Sequence, residues 1–228
     1  MAGPLRDIRV LDFSTLLPGP MATLFLADAG AEVIKVERPG RGEEMRSYTP
    51  KWGQDSGNFH MLNRGKKSIA LDLKDPQQRD RILGLVESAD IIVEQFRPGV
   101  MDRLGLGYDA VREINPDIIY CAITGYGQNG PKSMRAGHDL NYIGDAGLLA
   151  LSSGTVQTPV IPPALIADIA GGTYPAVLNI LLALRERDQN GTPPTSIFPW
   201  PTTCFPSCIG QWPMVRLRDS GPATAMRW

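Results

Sequence analysis

The stretch from Ile8 to Glu37 runs strand, helix, strand, and that order leaves few architectures open to the chain. Ile8-Arg9-Val10-Leu11-Asp12-Phe13 is a short apolar run rich in strand formers. A turn-like stretch, Ser14 to Pro20, contains Pro18-Gly19-Pro20. Met21 to Ala29 then has helical character and stops at Gly30, a residue that readily takes the left-handed conformation closing a helix. Glu32-Val33-Ile34-Lys35-Val36-Glu37 is a second strand, ended by Arg38-Pro39-Gly40. Two strands joined through a helix lie parallel, so the chain begins with a βαβ unit.

The alternation continues. Residues 41–65 are polar and irregular and read as a long loop, of the kind that usually carries function. Lys67 to Leu73 is a third strand, Pro76 to Ser88 an amphipathic helix and Asp90 to Glu94 a fourth strand. Val100 to Leu104 gives a helical turn, and Tyr108 to Asn115 gives a helix closed by Pro116. Ile118 to Thr124 is a further strand, ending at Gly125-Tyr126-Gly127. A long helix spans about Asp168 to Arg187 and ends at Asn190-Gly191. The fold class is therefore α/β: a Rossmann-like parallel sheet flanked by helices, with ligands expected past the carboxyl ends of the strands. After Thr192 the character changes. Residues 193–228 hold seven prolines, three of the four tryptophans and two of the three cysteines, with no sustained period. This segment is expected to be an irregular tail foreign to the domain formed by residues 1–192.

Several functions fit poorly. The net charge is −1, without the one-signed excess of a nucleic-acid or membrane-surface binder. The N-terminus lacks the apolar centre of a signal peptide, and the most apolar helical run, Ala176 to Leu184, is interrupted by Asn179 and too short for a bilayer. Cys121 lies in an apolar stretch, while Cys204 and Cys208 have no further Cys or His beside them, so neither a disulfide framework nor a metal site is expected. A cytoplasmic protein without membrane contact fits these features. The acidic Glu37 at a strand end invites a dinucleotide reading, but the first turn, Ser14 to Pro20, lacks G-x-G-x-x-G. Arg38, Lys74, Arg97 and Arg103 each follow a strand or lie one turn beyond it. Such a basic rim suits a ligand with several phosphates. Spacing alone is equally compatible with ordinary surface charges.

Several blocks resemble the family III CoA transferases: Leu17-Pro18-Gly19-Pro20, the run from Leu26 to Pro39, the run from Arg64 to Lys74, Phe96-Arg97-Pro98-Gly99 and Arg103 to Gly107. Asn115-Pro116 and the run from Ile123 to Pro131 continue it, in order, within residues 5–192. Within that superfamily, Ala136-Gly137-His138-Asp139-Leu140-Asn141-Tyr142 looks like the 2-methylacyl-CoA racemase branch. The resemblance implies a coenzyme A site lined by Arg38, Leu71, Asp72, Leu73, Lys74, Gln95, Phe96, Arg97, Arg103, Gly137, Asp139, Leu140, Asn141 and Tyr142. It implies a catalytic pair of His138 and Asp168, with no cofactor beyond the coenzyme A of the substrate. It also implies interlocked homodimers, a role in lipid metabolism, and members that run well beyond this length with a second, smaller domain.

The residues themselves suit such chemistry. Racemisation beside a thioester carbonyl needs one group to remove a proton and another to return one on the opposite face. An imidazole and a carboxylate can do this, and backbone N–H groups at the start of the Asp168 helix are candidate donors to the enolate oxygen. Gly171 and Gly172 in that helix suggest close approach of a ligand or backbone. Each residue also has a plainer role: Asp168 as a helix cap, His138 as a hydrogen-bonded turn residue. His60, in the long loop, has no assigned role. Two alternatives stand beside racemisation: CoA transfer between carboxylic acids, with Asp168 forming an acyl anhydride, and an inactive CoA-binding fragment.

Overall fold

The computed structural model describes residues 3–155 and 157–191; the Pro-rich tail, with Cys204 and Cys208, lies outside them. The first βαβ unit is β1 (Arg9–Asp12), α1 (Pro18–Asp28) and β2 (Glu32–Glu37). A 3-10 turn at Glu44–Ser47, a small hairpin of β3 (Lys51–Trp52) and β4 (Asp55–Ser56), and α2 (Gly57–Asn63) come next. Then follow β5 (Lys67–Ala70), α3 (Pro76–Val86), β6 (Ile91–Glu94), α4 (Val100–Arg103), α5 (Tyr108–Ile114) and β7 (Ile119–Ala122). Two short helices, α6 (Asp139–Asp145) and α7 (Leu148–Leu151), precede a π-helical turn at Ala167–Thr173 that runs straight into α8 (Tyr174–Asn190).

The main sheet has the order β5-β2-β1-β6-β7 and every pairing in it is parallel, so the expected Rossmann-like α/β class holds. Strands β1, β6 and β7 are almost wholly buried and largely apolar because both faces are covered, whereas the edge strand β5 is mostly exposed. On one face Val10, Val33, Ile91 and Ile119 pack against Ala22 and Leu26 of α1 and Ala176, Ile180 and Leu184 of α8. On the other, Leu11, Ile92 and Tyr120 meet Ile82 and Val86 of α3 and Val111 of α5. Cys121 is buried in the first of these layers, where burial pushes its thiol up to about 12, so it serves as a small core residue.

Four local expectations are corrected. First, α1 starts at Pro18 rather than Met21, since a proline suits the first helical turn, where its missing N–H costs nothing. Second, the segment read as a loop over 41–65 contains a 3-10 turn, a hairpin and a helix. Arg46 organises it, bonding both Glu37 oxygens at 2.7 Å, pairing with Asp55 at 2.8 Å and lying over the Phe59 ring. Third, Glu37 at the end of β2 is no free carboxylate open to a ribose: Arg46, Ser68 and the Glu43 amide all bond it. Burial raises its pKa, yet these donors outweigh burial and hold it at about 2. Fourth, the helical stretch Ala167–Asn190 is continuous over 24 residues, long and apolar enough by composition to cross a membrane. Half of its most apolar 18-residue window is buried, as in a core helix, and Asn179 bonds back to the Pro175 carbonyl at 2.8 Å.

Beneath the turn after β1 lies a buried cluster of two cations and two carboxylates. Lys66 Nζ meets Asp12 at 3.1 Å and also donates to Pro20 O, Thr23 Oγ1 and Asn63 Oδ1. Lys35 Nζ meets Glu43 at 2.6 Å and donates to Ser14 O at 2.9 Å. Asp12 accepts further bonds from Ser14 Oγ and Thr23 Oγ1, and Glu43 accepts from the Leu16 amide at 2.7 Å. Burial alone pushes Asp12 up, but Lys35, Lys66 and the hydroxyls outweigh it and hold the carboxyl at about 2. Burial pulls Lys66 down to about 8 against the opposing pull of Asp12. Removing one partner strands a buried charge. Asp12→Ala or Lys66→Met should each cost about 3–5 kcal/mol, with the double variant losing less than the sum. Urea denaturation of the three variants checks this, and strictly additive losses would show that the two groups act independently.

Candidate functional site

The strand order reverses between β1 and β6, so their carboxyl ends face the crevice where doubly wound sheets bind ligands. Two cavities open there. The larger, about 650 Å³, lies over β1, β2 and β5. Arg38, Lys74 and Arg103 border it, with the apolar Phe13, Leu71 and Leu104. All three cationic residues are exposed at its rim, and Arg38 is steadied by a 2.9 Å bond from Nε to the Gly42 carbonyl. The smaller, about 290 Å³, lies over β6 and β7. Leu16, Arg97, Arg135, His138, Tyr142 and Asp168 line it, and Phe96 borders both spaces.

The expected coenzyme A residues therefore divide. Arg38, Leu71, Asp72, Leu73, Lys74, Phe96 and Arg103 line the larger cavity. Gln95, Arg97, Gly137 and Tyr142 line the smaller. The amide of Gln95 is also spent on the turn after β1, donating to Thr15 O at 2.6 Å and accepting from Gly19 N at 3.1 Å. Asp139, Leu140 and Asn141 line neither cavity, because α6 turns them away. Leu140 is exposed, Asn141 Oδ1 accepts from the His138 amide at 3.0 Å, and Asp139 is buried.

The smaller cavity brings together the two residues expected to be catalytic, thirty positions apart in the chain. His138 stands immediately before α6, its side chain exposed to the cavity. Asp168 lies in the π-helical turn, whose wider winding is common at functional sites. Gly171 and Gly172 in that turn are buried, and Thr173 Oγ1 donates to Pro18 O at 2.9 Å, tying the turn to the start of α1. Burial pushes the Asp168 carboxyl up to about 6; the Asp139 carboxylate adds to this and His138 opposes it. Tyr142 closes the wall, its hydroxyl donating to Gly137 O at 2.6 Å. A Cβ at Gly125 would lie 2.3 Å from the Tyr142 hydroxyl and one at Gly137 2.7 Å from its ring, so only glycine lets the ring in.

One expectation fails here. The N–H groups at the start of the Asp168 turn are already used: Asp168 N donates to Asp139 Oδ1 at 3.0 Å and Ile169 N to Leu165 O at 3.0 Å. They cannot also receive an enolate oxygen, whereas the guanidinium-bearing Arg97 and Arg135 border the same space. Sequence reasoning also missed the work of Lys35, Lys66 and Glu43 beneath the site. A lysine in the middle of the apolar strand Val33-Ile34-Lys35-Val36 was the available signal.

Comparison with known proteins places the chain in a family and supports its fold. The sequence model of CoA-transferase family III matches residues 5–194. Human succinyl-CoA:glutarate CoA-transferase is 45% identical over 189 residues, covering 82% of this chain and 43% of that protein. Alpha-methylacyl-CoA racemase of Mus musculus is 40% identical over 187 residues, covering 82% and 45%. The chain thus spans under half the length of these curated relatives. Among solved structures, Rv3272 from M. tuberculosis superposes with a TM-score of 0.85 at 36% identity, over 99% of this chain and 63% of that one. A CAIB/BAIF family protein from Brucella suis gives 0.86 at 32% identity, over 98% and 60%.

The environment of Asp168 has a cost that can be measured. Its folded-state pKa lies above the ordinary 3.8, so protons bind the folded form more tightly. That contribution to stability is complete below about pH 4 and is lost as pH rises through about 6. Asp168→Asn cannot ionise and should be more stable than the parent at pH 8, by about 1–2 kcal/mol after allowing for partial exposure. The advantage should shrink towards pH 4. Thermal unfolding across that range checks it, and a variant less stable than the parent at pH 8 would contradict the environment described.

Proposed function

Because the chain belongs to CoA-transferase family III, we propose that it acts on acyl-CoA thioesters and exchanges the proton on the carbon beside the thioester carbonyl. The substrate class is 2-methylacyl-CoA and the outcome is racemisation at C2. The observation that carries this is that His138 and Asp168 border one cavity, each on its own element. In one direction Asp168 removes the proton and His138 returns one on the opposite face; in the other the roles exchange. With its pKa at about 6, Asp168 is ionised at neutral pH and is a stronger base than an ordinary aspartate. The intermediate enolate needs positive charge at its oxygen, which Arg97 or Arg135 supplies. The larger cavity takes the coenzyme A portion, with Arg38, Lys74 and Arg103 meeting its phosphates. Phe96, on the border between the cavities, lies where the thioester passes from one to the other. No cofactor beyond that coenzyme A takes part, and the working form is a cytoplasmic homodimer.

A second reading uses Asp168 alone. Its carboxylate attacks the thioester carbonyl and expels the CoA thiolate, leaving an acyl-aspartyl anhydride. The thiolate then attacks the aspartyl carbonyl and releases the first acid. An incoming carboxylate takes the CoA from the resulting aspartyl thioester through a second anhydride, which the thiolate opens to give the new acyl-CoA and free Asp168. The 45% identity to a protein named as a succinyl-CoA:glutarate CoA-transferase favours it. The pairing of an imidazole with the carboxylate favours proton exchange, since this transfer asks nothing of His138.

Incubation of the protein with a chiral 2-methylacyl-CoA in heavy water separates the two. Racemisation predicts deuterium at C2 without any acceptor acid, and losses of about 10²–10⁴ in rate for His138→Gln and Asp168→Asn. A strict requirement for a carboxylate acceptor would replace racemisation with transfer. A chain that does neither would retain at most the binding role.

A further inference from the structure

Asp139 borders neither cavity, yet its side chain makes the hydrogen bond that joins the two halves of the acyl site. It is the first residue of α6, next in sequence to His138, and is 5% exposed. Its Oδ1 accepts the backbone N–H of Asp168 at 3.0 Å, across 29 positions of chain. The His138 amide is held in turn by Asn141 Oδ1 at 3.0 Å, which stiffens the entry to the same helix. One buried carboxylate therefore links the element carrying the imidazole to the element carrying the catalytic carboxylate. From these contacts we propose that Asp139 is a positioning residue. It sets the spacing of His138 and Asp168 and places a second negative charge beside Asp168.

This inference deepens the proton-exchange reading and takes the role of Asp168 from it. Asp139 serves two ends at once. As an acceptor it fixes the π-helical turn, whose amide would otherwise seek another partner. Burial does most to raise the Asp168 carboxyl, and the negative charge of Asp139 close by adds to that rise. The other groups facing Asp168 are few. His138 and Tyr142 stand at and within α6, and Arg97 and Arg135 border the cavity from two loops. Tyr174 opens α8 directly after the turn, and α1 brings no ionisable side chain before Asp28. Among these, Asp139 is the carboxylate in direct contact with the Asp168 backbone.

Two substitutions separate the two ends. Asp139→Asn keeps an oxygen that can accept the Asp168 amide and removes the charge. Asp139→Ala removes both. The direct readout is the titration of Asp168 itself, followed by carbon NMR of labelled aspartate carboxyls and assigned by the signal lost in Asp168→Asn. In Asp139→Asn the Asp168 midpoint should fall by roughly one unit, and the acidic limb of the exchange-rate profile should move down with it. In Asp139→Ala, kcat should drop by about 10- to 100-fold with little change in KM, because the reacting groups lose alignment. An unchanged Asp168 midpoint in Asp139→Asn overturns the inference, whatever the turnover of the parent. A lowered midpoint in a protein that exchanges no deuterium would uphold the role of Asp139 and remove the racemase reading instead.

Discussion

The two buried ion pairs, Asp12–Lys66 and Lys35–Glu43, hold the turn on which both cavities depend. That turn leaves β1 at the point where the sheet changes direction. Its first residues, Ser14 and Thr15, border the larger space, while Leu16 and Pro18 border the smaller. Leu16 sits at φ 63°, a conformation costing a bulky residue on the order of 1–3 kcal/mol unless its surroundings impose it. Here Glu43 binds its amide, Lys35 binds the Ser14 carbonyl and Gln95 grips Thr15 and Gly19 from the neighbouring strand end. Buried charges contribute little net stability, because desolvation offsets most of the attraction between them. What they provide is one geometry. A cluster in which Lys35 is bonded to Glu43 and the turn, and Lys66 to Asp12 and the start of α1, leaves that segment little freedom to rearrange.

The smaller cavity is built on the opposite principle. Its carboxylate is left partly uncompensated: Asp168 is half-buried, lies near a second carboxylate and is raised to about 6, whereas Asp12 with its two lysines is held at about 2. The same side-chain chemistry gives a carboxyl held low in one place and one raised in the other, and neighbours decide which. Stability lost at Asp168 is consistent with a group kept reactive.

Much of this arrangement can be read from the chain. The apolar runs that form β1, β2, β6 and β7 are legible because a strand covered on both faces is rich in apolar residues, while the mostly exposed β5 is legible from its place between turn signals. Parallel order followed from the helices between them. The basic rim of Arg38, Lys74, Arg97 and Arg103 follows from strand ends; three of the four border the larger cavity, and Arg97 borders the smaller instead. Other features depended on contacts distant in sequence. The segment 44–63 looks irregular locally because its elements are short and are fixed by Arg46 reaching back to Glu37. Helix α6 begins without an apolar period and owes its place to Asp139 and Tyr142. The π-helical winding at Asp168 left no trace beyond Gly171-Gly172. Likewise Asp139, Leu140 and Asn141 belong to a block carried by resemblance, but of that block Ala136, Gly137, His138 and Tyr142 reach the cavity.

The claim at the centre is spatial: a thioester crosses Phe96 with its nucleotide portion in the larger cavity and its C2 carbon between imidazole and carboxylate. A crystal structure of the protein with a non-reactive 2-methylacyl-CoA analogue tests it directly. C2 should lie about 3–3.5 Å from both the His138 ring and the Asp168 carboxylate, on opposite faces, with phosphates within bonding distance of Arg38, Lys74 or Arg103. An acyl chain lodged elsewhere, or both groups on the same face of C2, would contradict it.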